Sequence, residues 1–135
     1  MNYEQLLRER SLKVTPQRIG MLNLIEMSGH ISIEDLYRRI KKEFSSISLA
    51  TLYKNLHSMA NAEILKEVKI PEQKSRYEIV KEPHAHLLCQ KCGGFEDIAV
   101  DFSKIGECLD VQSGFTIERT ETTFIGLCAK CNDAH

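Results

Sequence analysis

The chain has 135 residues, of which 42% are hydrophobic and 27% are charged, and its formal net charge is −1. This length suits one domain or two small ones, and the composition excludes a disordered chain. No stretch approaches the roughly 18 apolar residues of a membrane span, and the first residues do not resemble a secretory signal. We therefore expect a cytoplasmic protein with no membrane partner.

Charge is distributed unevenly along the chain. Residues 1–80 contain 13 Lys and Arg against 10 Asp and Glu, whereas residues 81–135 contain 5 against 9. The two segments therefore carry net charges of +3 and −4. A mildly basic segment beside an acidic one favours a nucleic-acid-binding domain joined to a second domain.

The first part of the chain shows helical patterns. A short helix is predicted over residues 3–10, and a second begins behind Thr15, whose hydroxyl can cap the free amides, with Pro16 at the first helical position. Gly29 is expected to end this second helix.

A winged helix-turn-helix is predicted from the next elements. Ser32 begins a third helix, and Ser48 precedes a fourth over Leu49–Ala62, which ends without glycine, so that Asn61 is expected to be left-handed. Strand-like runs follow at 65–70 and 75–80. The second, third and fourth helices followed by a hairpin are typical of this DNA-binding fold, in which the fourth helix would be the recognition helix.

The second part of the chain is predicted to be a small α/β domain. Residues 81–83 contain a proline and are interpreted as a hinge between domains 1–80 and 84–135. Strands are expected at 85–89, 95–100 and 115–127, with a short helix around 103–111. The fold class is therefore α+β.

Two Cys-x-x-Cys pairs indicate a structural metal site. Cys89 and Cys92 are separated by 35 residues from Cys128 and Cys131. Paired cysteines in a reducing compartment are typical ligands of a closed, tetrahedral zinc site. The fifth cysteine, Cys108, is expected to be a small buried side chain, and its role stays open.

A second metal site is indicated by histidines. His84 and His86 are two residues apart on a predicted strand, so their side chains point to the same face. Candidate partners are His30, in a loop between helices, Glu78 and Asp97. Imidazole and carboxylate ligands together suit Fe(II), Mn(II) or Zn(II).

Basic, hydroxyl and aromatic residues suggest a DNA-binding surface. Lys13 and Arg18 flank a helix N-terminus, which is itself favourable for phosphate. The predicted recognition helix presents further polar side chains: Ser48, Thr51, Tyr53 and Lys54.

Several motifs in order resemble the ferric uptake regulator family. They are the segment from Lys13 to Arg18, the segment from Ser48 to Leu56, the segment from His84 to Gly93, and the closing Cys128–Cys131 pair. The resemblance implies metal-dependent bacterial repressors that bind inverted-repeat, double-stranded DNA as homodimers through an N-terminal winged helix and a C-terminal dimerisation domain.

The resemblance also assigns residues. It implies structural Zn(II) at the four paired cysteines, and DNA contacts from Lys13 in the minor groove and from Tyr53 with its neighbours, including Asn55, in the major groove. It implies a regulatory Fe(II) or Mn(II) bound by His30, Glu78, His84, His86 and Asp97.

The choice between the peroxide-sensing and the iron-uptake subgroups of this family depends on two carboxylates, Glu78 and Asp97. Peroxide-sensing members resemble this chain at Asp97, whereas iron-uptake members resemble it at Glu78. We favour a peroxide sensor in which oxidation of His30 or His84 ends repression, with an iron-uptake repressor as the alternative. A metallohydrolase would need an open coordination position and a general base, and a zinc scaffold without sensing would leave the histidines without a role.

Overall fold

The computed structural model describes residues 2–81, 84–103, 109, 113–117 and 120–132. The chain divides into two compact units, residues 1–80 and residues 81–135. Each unit contains one three-stranded sheet. Within the described residues, no helix has the length and apolarity needed to cross a membrane.

Side-chain caps begin the helices of the first unit. The hydroxyls of Thr15, Ser32 and Ser48 each accept a hydrogen bond from the backbone N–H three residues later, at 3.2, 3.3 and 3.1 Å. Such caps satisfy amides that the helix itself leaves unpaired. The four helices are α1 Tyr3–Glu9, α2 Pro16–Ser28, α3 Ile33–Glu43 and α4 Leu49–Asn61.

The end of α4 differs from the prediction. The left-handed residue is Glu63, with a φ of 60°, and not Asn61, which is the last helical residue. The N–H groups of Glu63 and Ile64 donate to carbonyls of the last helical turn, at Ala60 and Met59. The positive φ thus falls on the residue beyond the cap, where it turns the buried Ile64 back towards the core.

Three strands form the sheet of the first unit. They are β1 His30–Ser32, β2 Leu65–Val68 and β3 Arg76–Ile79, arranged antiparallel in the order β1-β3-β2. The prediction of a loop at His30 was wrong, because His30 lies in β1 and pairs with β3. A strand of three residues is too short to show a period in the sequence.

Aliphatic side chains from all four helices form the core of this unit. Leu52, Leu56 and Met59 of α4 are buried, whereas Tyr53 and Lys54 are exposed on the opposite face. The helices and the sheet together have the winged helix-turn-helix arrangement, with α4 in the position of the recognition helix.

The second unit has a mixed sheet. Its strands are β4 His84–Cys89, β5 Phe95–Ala99 and β6 Thr123–Gly126, in the order β5-β4-β6. The central strand β4 runs antiparallel to β5 and parallel to β6. The helices of the first unit and the sheets of both units place the chain in the predicted α+β class.

The predicted strand at 115–127 was wrong for residues 115–117 and 120–122, whereas residues 118 and 119 lie outside the described part of the chain. Gly114 has a φ of 71°, and the N–H of Phe115 donates to Ser113 Oγ at 3.2 Å, so the chain turns there. Among the described residues of this segment, Thr123–Gly126 is the part that pairs with β4. The predicted helix around 103–111, including Cys108, and hinge residues 82 and 83 fall mainly or wholly outside the described residues.

Candidate metal centres and DNA-binding surface

Four cysteine thiols meet in the second unit. The Sγ atoms of Cys89, Cys92, Cys128 and Cys131 all lie within 4.8 Å of one another, and none of these cysteines forms a disulfide. The Sγ atoms of Cys92 and Cys128 are 3.8 Å apart. A tetrahedral zinc site with Zn–S bonds of about 2.3 Å has sulfur–sulfur edges of about 3.8 Å. The four thiols therefore fit a zinc ion.

Tight turns hold the two cysteine pairs. Gly93 has a φ of 77°, which glycine adopts readily, and its N–H donates to the Cys89 carbonyl at 2.9 Å. In the second pair, the N–H of Asn132 donates to the Cys128 carbonyl at 2.8 Å. The N–H of Cys92 also points at Cys89 Sγ, at 3.5 Å. An N–H group that points at sulfur, as that of Cys92 does, stabilises negative charge on the sulfur.

The thiols of this cluster ionise unequally. Backbone N–H groups at Cys92 and Cys128 lower the pKa of the Cys89 thiol to about 6. Hydrogen bonding to the Cys128 thiol, followed by burial, raises the pKa of the Cys131 thiol to about 12. Loss of the proton from Cys89 is therefore favoured, whereas loss of the proton from Cys131 is unfavourable. A bound divalent cation would favour both thiolates, because zinc binds cysteine as thiolate.

A second cluster lies on β4 and β5. His84 Nε2 is 3.2 Å from His86 Nε2, which in turn is 3.3 Å from Asp97 Oδ1. Asp97 is the register partner of His86 across the strands, and Phe95 stacks on the His86 ring at 4.7 Å. Both histidines are buried. Two imidazoles and a carboxylate thus converge with the donor chemistry of Fe(II), Mn(II) or Zn(II).

Asp97 has a cation on its other side. Its Oδ2 lies 2.5 Å from Lys81 Nζ. Burial opposes ionisation of the Asp97 carboxyl, but the hydrogen bond and charge of Lys81, with smaller contributions from His84 and His86, hold its pKa below the usual range. The carboxylate is therefore charged and ready to bind a cation at neutral pH.

In the first unit, a second carboxylate lies beside the remaining candidate histidine. Glu78 is fully buried in the central strand β3, with His30 as its register partner on β1 and Lys66 on β2. Cross-strand partners project from the same face of a sheet. Lys66 Nζ is 3.3 Å from Glu78 Oε1, and Arg76 contacts the His30 ring at 3.0 Å.

The predicted DNA-binding residues surround the start of α4. Arg18 connects the two predicted contact regions, because its Nε donates to Asn55 Oδ1 at 3.1 Å and its Nη1 to the Lys13 carbonyl at 2.8 Å. The Ser48 hydroxyl donates to Thr51 Oγ1 at 2.9 Å. The side chains of Lys13, Tyr53 and Lys54 are exposed.

Sequence reasoning missed three residues that contact the candidate ligands. Lys66 and Lys81 form ion pairs with carboxylates, and Phe95 stacks on His86. The hairpin register would have revealed Lys66, since it is the β2 partner of Glu78. Motif spacing contains no signal for Lys81 or Phe95.

Comparisons with known proteins agree with these features. A profile of the Ferric uptake regulator family matches residues 9–125. The ferric uptake regulation protein of Bacillus subtilis (strain 168) is 31% identical over 133 residues, covering 93% of this chain and 89% of that protein. The peroxide operon regulator of the same strain is 26% identical over 130 residues, covering 95% of this chain and 90% of that protein.

Solved structures are similar over nearly the whole chain. The Campylobacter jejuni peroxide stress regulator is similar with a TM-score of 0.78 and 36% identity, over 97% of this chain and 100% of that one. Both the sequence match and the structural match extend across the winged helix and the strands that carry the clusters. This chain therefore belongs to the ferric uptake regulator family, and it is a metal-dependent, DNA-binding transcription regulator.

Proposed function

We propose that this protein is a homodimeric repressor that releases double-stranded operator DNA when peroxide oxidises a histidine of its regulatory metal site. The observation that carries the proposal is the cluster of His84, His86 and Asp97. Its ligands are imidazoles and a carboxylate, whereas those of the other cluster are thiols. A cluster of sulfurs alone would serve structure. A second cluster of harder ligands supplies a site for an exchangeable ion.

The domains have distinct roles in this proposal. Residues 1–80 bind DNA, residues 81–83 act as the hinge, and residues 84–135 dimerise and hold the zinc. In a dimer, the two recognition helices would contact half-sites of an inverted repeat. A DNA-binding role and reduced thiols both fit a cytoplasmic location.

The regulatory site uses ligands from both domains. His30 and Glu78 belong to the DNA-binding domain, and His84, His86 and Asp97 belong to the second domain. These residues would hold one Fe(II) or Mn(II) ion and so bring the two domains into one fixed arrangement. A closed state that binds the ion about 100-fold more tightly than the open state is favoured by about 2.7 kcal/mol.

Peroxide sensing requires a reactive ion and an oxidisable ligand. An Fe(II) ion held by these residues would supply the redox chemistry that activates peroxide, and an Mn(II) ion would not. Peroxide is the two-electron oxidant: one of its oxygens would be inserted at a C–H bond of the His30 or His84 imidazole, and the other would leave as water. The oxidised imidazole would bind metal poorly, so that repression ends. The similarity to peroxide regulators supports this proposal over iron sensing alone.

DNA binding with each metal, before and after peroxide, tests the proposal. We expect the Fe(II) form to lose operator binding after micromolar peroxide and to gain one oxygen on a peptide that contains His30 or His84. The Mn(II) form should bind DNA and resist the same treatment. His57, on the exposed face of α4, is an internal control that should stay unmodified.

An iron-uptake repressor is the second candidate. It is favoured by the glutamate at position 78, where the chain resembles iron-uptake members of the family. If the Fe(II) form keeps its DNA affinity after peroxide and its histidines stay unmodified, iron sensing replaces peroxide sensing. A metallohydrolase reading predicts turnover of a substrate and no dependence of DNA binding on an exchangeable metal. Membership in a family of transcription regulators supports a non-enzymatic role.

A further inference from the structure

The two carboxylate oxygens of Asp97 have different partners. Oδ1 lies 3.3 Å from His86 Nε2, on the side of the two histidines. Oδ2 lies 2.5 Å from the ammonium of Lys81. The strand register places Asp97 directly opposite His86, so the carboxylate has one oxygen towards the imidazoles and one towards the lysine.

We infer that Lys81 is a positioning residue that restricts Asp97 to binding the regulatory metal through one oxygen. The inference rests on the proposed function, because it assumes that this cluster holds an exchangeable ion. A carboxylate can bind a cation through one or both oxygens. An ammonium donates up to three hydrogen bonds and forms strong, charge-assisted ones with carboxylates. With Oδ2 held by Lys81, only Oδ1 is available to the ion.

Single-oxygen binding has a consequence for chemistry. When a carboxylate binds through one oxygen, it occupies one coordination position and leaves its second position open to a small molecule such as peroxide. Lys81 would therefore position the Asp97 carboxylate and also keep one coordination position of the ion accessible to peroxide. This role assigns a function to a residue that is not itself a ligand.

Lys81 should also weaken metal binding. The charge of its ammonium repels a divalent cation bound by the neighbouring carboxylate, and in a water-like dielectric this repulsion should lower the affinity for the cation by about tenfold. The side chain of Lys81 is 45% exposed and that of Asp97 is 28% exposed. An exposed ion pair contributes little to folding, so its removal should leave the protein folded.

The test is the affinity of the zinc-loaded, full-length dimer for Mn(II), measured by calorimetry and by the Mn(II) electron paramagnetic resonance spectrum. Lys81→Met should bind Mn(II) about tenfold more tightly, because the repelling charge is gone, and show an altered Mn(II) spectrum, because the second oxygen becomes available. Lys81→Gln removes the same charge and should show the same rise in affinity. Lys81→Arg retains the cation and should restore the parent affinity and spectrum.

Lys91→Met is the matched control. Lys91 is an exposed lysine in the turn beyond the other end of β4, so its loss removes the same charge without touching Asp97. An unchanged Mn(II) spectrum in Lys81→Met, whatever its affinity, beside normal Mn(II) binding by the parent, would overturn the inference alone. A parent protein without exchangeable Mn(II) binding would overturn the proposed function as well.

Discussion

Replacing Cys128 by serine removes one of four thiols and tests whether they hold zinc. Cys128 lies two residues beyond β6, a strand of four residues that pairs with β4. Its Sγ is 3.8 Å from that of Cys92, which belongs to the other pair. The substitution therefore breaks a cross-link between the last strand and the β4–β5 turn. Serine keeps the size of the side chain but is a poor zinc ligand.

The magnitude follows from the number of ligands. Structural zinc contributes about 10–16 kcal/mol to the folding of small zinc peptides at neutral pH. Shared over four sulfurs, each bond corresponds to about 2.5–4 kcal/mol, or a loss of about 100- to 1,000-fold in zinc affinity. Without zinc, the C-terminal segment is held to β4 mainly by the short β6 pairing, and we expect the stable dimer to be lost.

Native mass spectrometry would measure zinc content, and light scattering would measure the oligomeric state. A chelator titration would give the relative zinc affinity. Ala129→Ser is the matched control, since it places a serine at the exposed neighbouring position and keeps all four thiols. A Cys128→Ser protein that retains zinc with parent affinity and remains a dimer would refute the four-cysteine assignment.

Four further predictions concern DNA binding, stability and sensing. Tyr53→Ala should lose discrimination between operator and random DNA in a competition assay, and equal discrimination would show that α4 does not read the bases. Lys13→Ala should lower the salt slope of DNA binding by roughly 0.9, the value for one phosphate contact; an unchanged slope would place Lys13 away from DNA. Ser48→Ala should lower the free energy of unfolding by about 1 kcal/mol in urea, because it removes the cap of α4. Asp97→Glu should keep metal-dependent DNA binding but respond more slowly to peroxide, and a parent-like oxidation rate would argue against the carboxylate's role in access.

Local signals in the sequence account for the helix starts. Thr15, Ser32 and Ser48 each cap a helix as predicted, since a cap depends only on residues within one turn. The buried stripe of α4 also follows from spacing along one helix. The end of α4 was missed because the turn is determined by the burial of Ile64, a tertiary contact.

Ligand identity was a property of the sequence, since the residue types and their spacing point to soft and harder metals regardless of packing. The pairing of β1 with β3, which makes His30 the register partner of Glu78, was decided by the tertiary structure. The same holds for the ion pair of Lys81 with Asp97. Strand register joins residues that are far apart in the chain, so no local pattern encodes it. The sequence by itself thus determined which groups can bind metal, and the fold decided which oxygens of those groups face the histidines and which face a lysine.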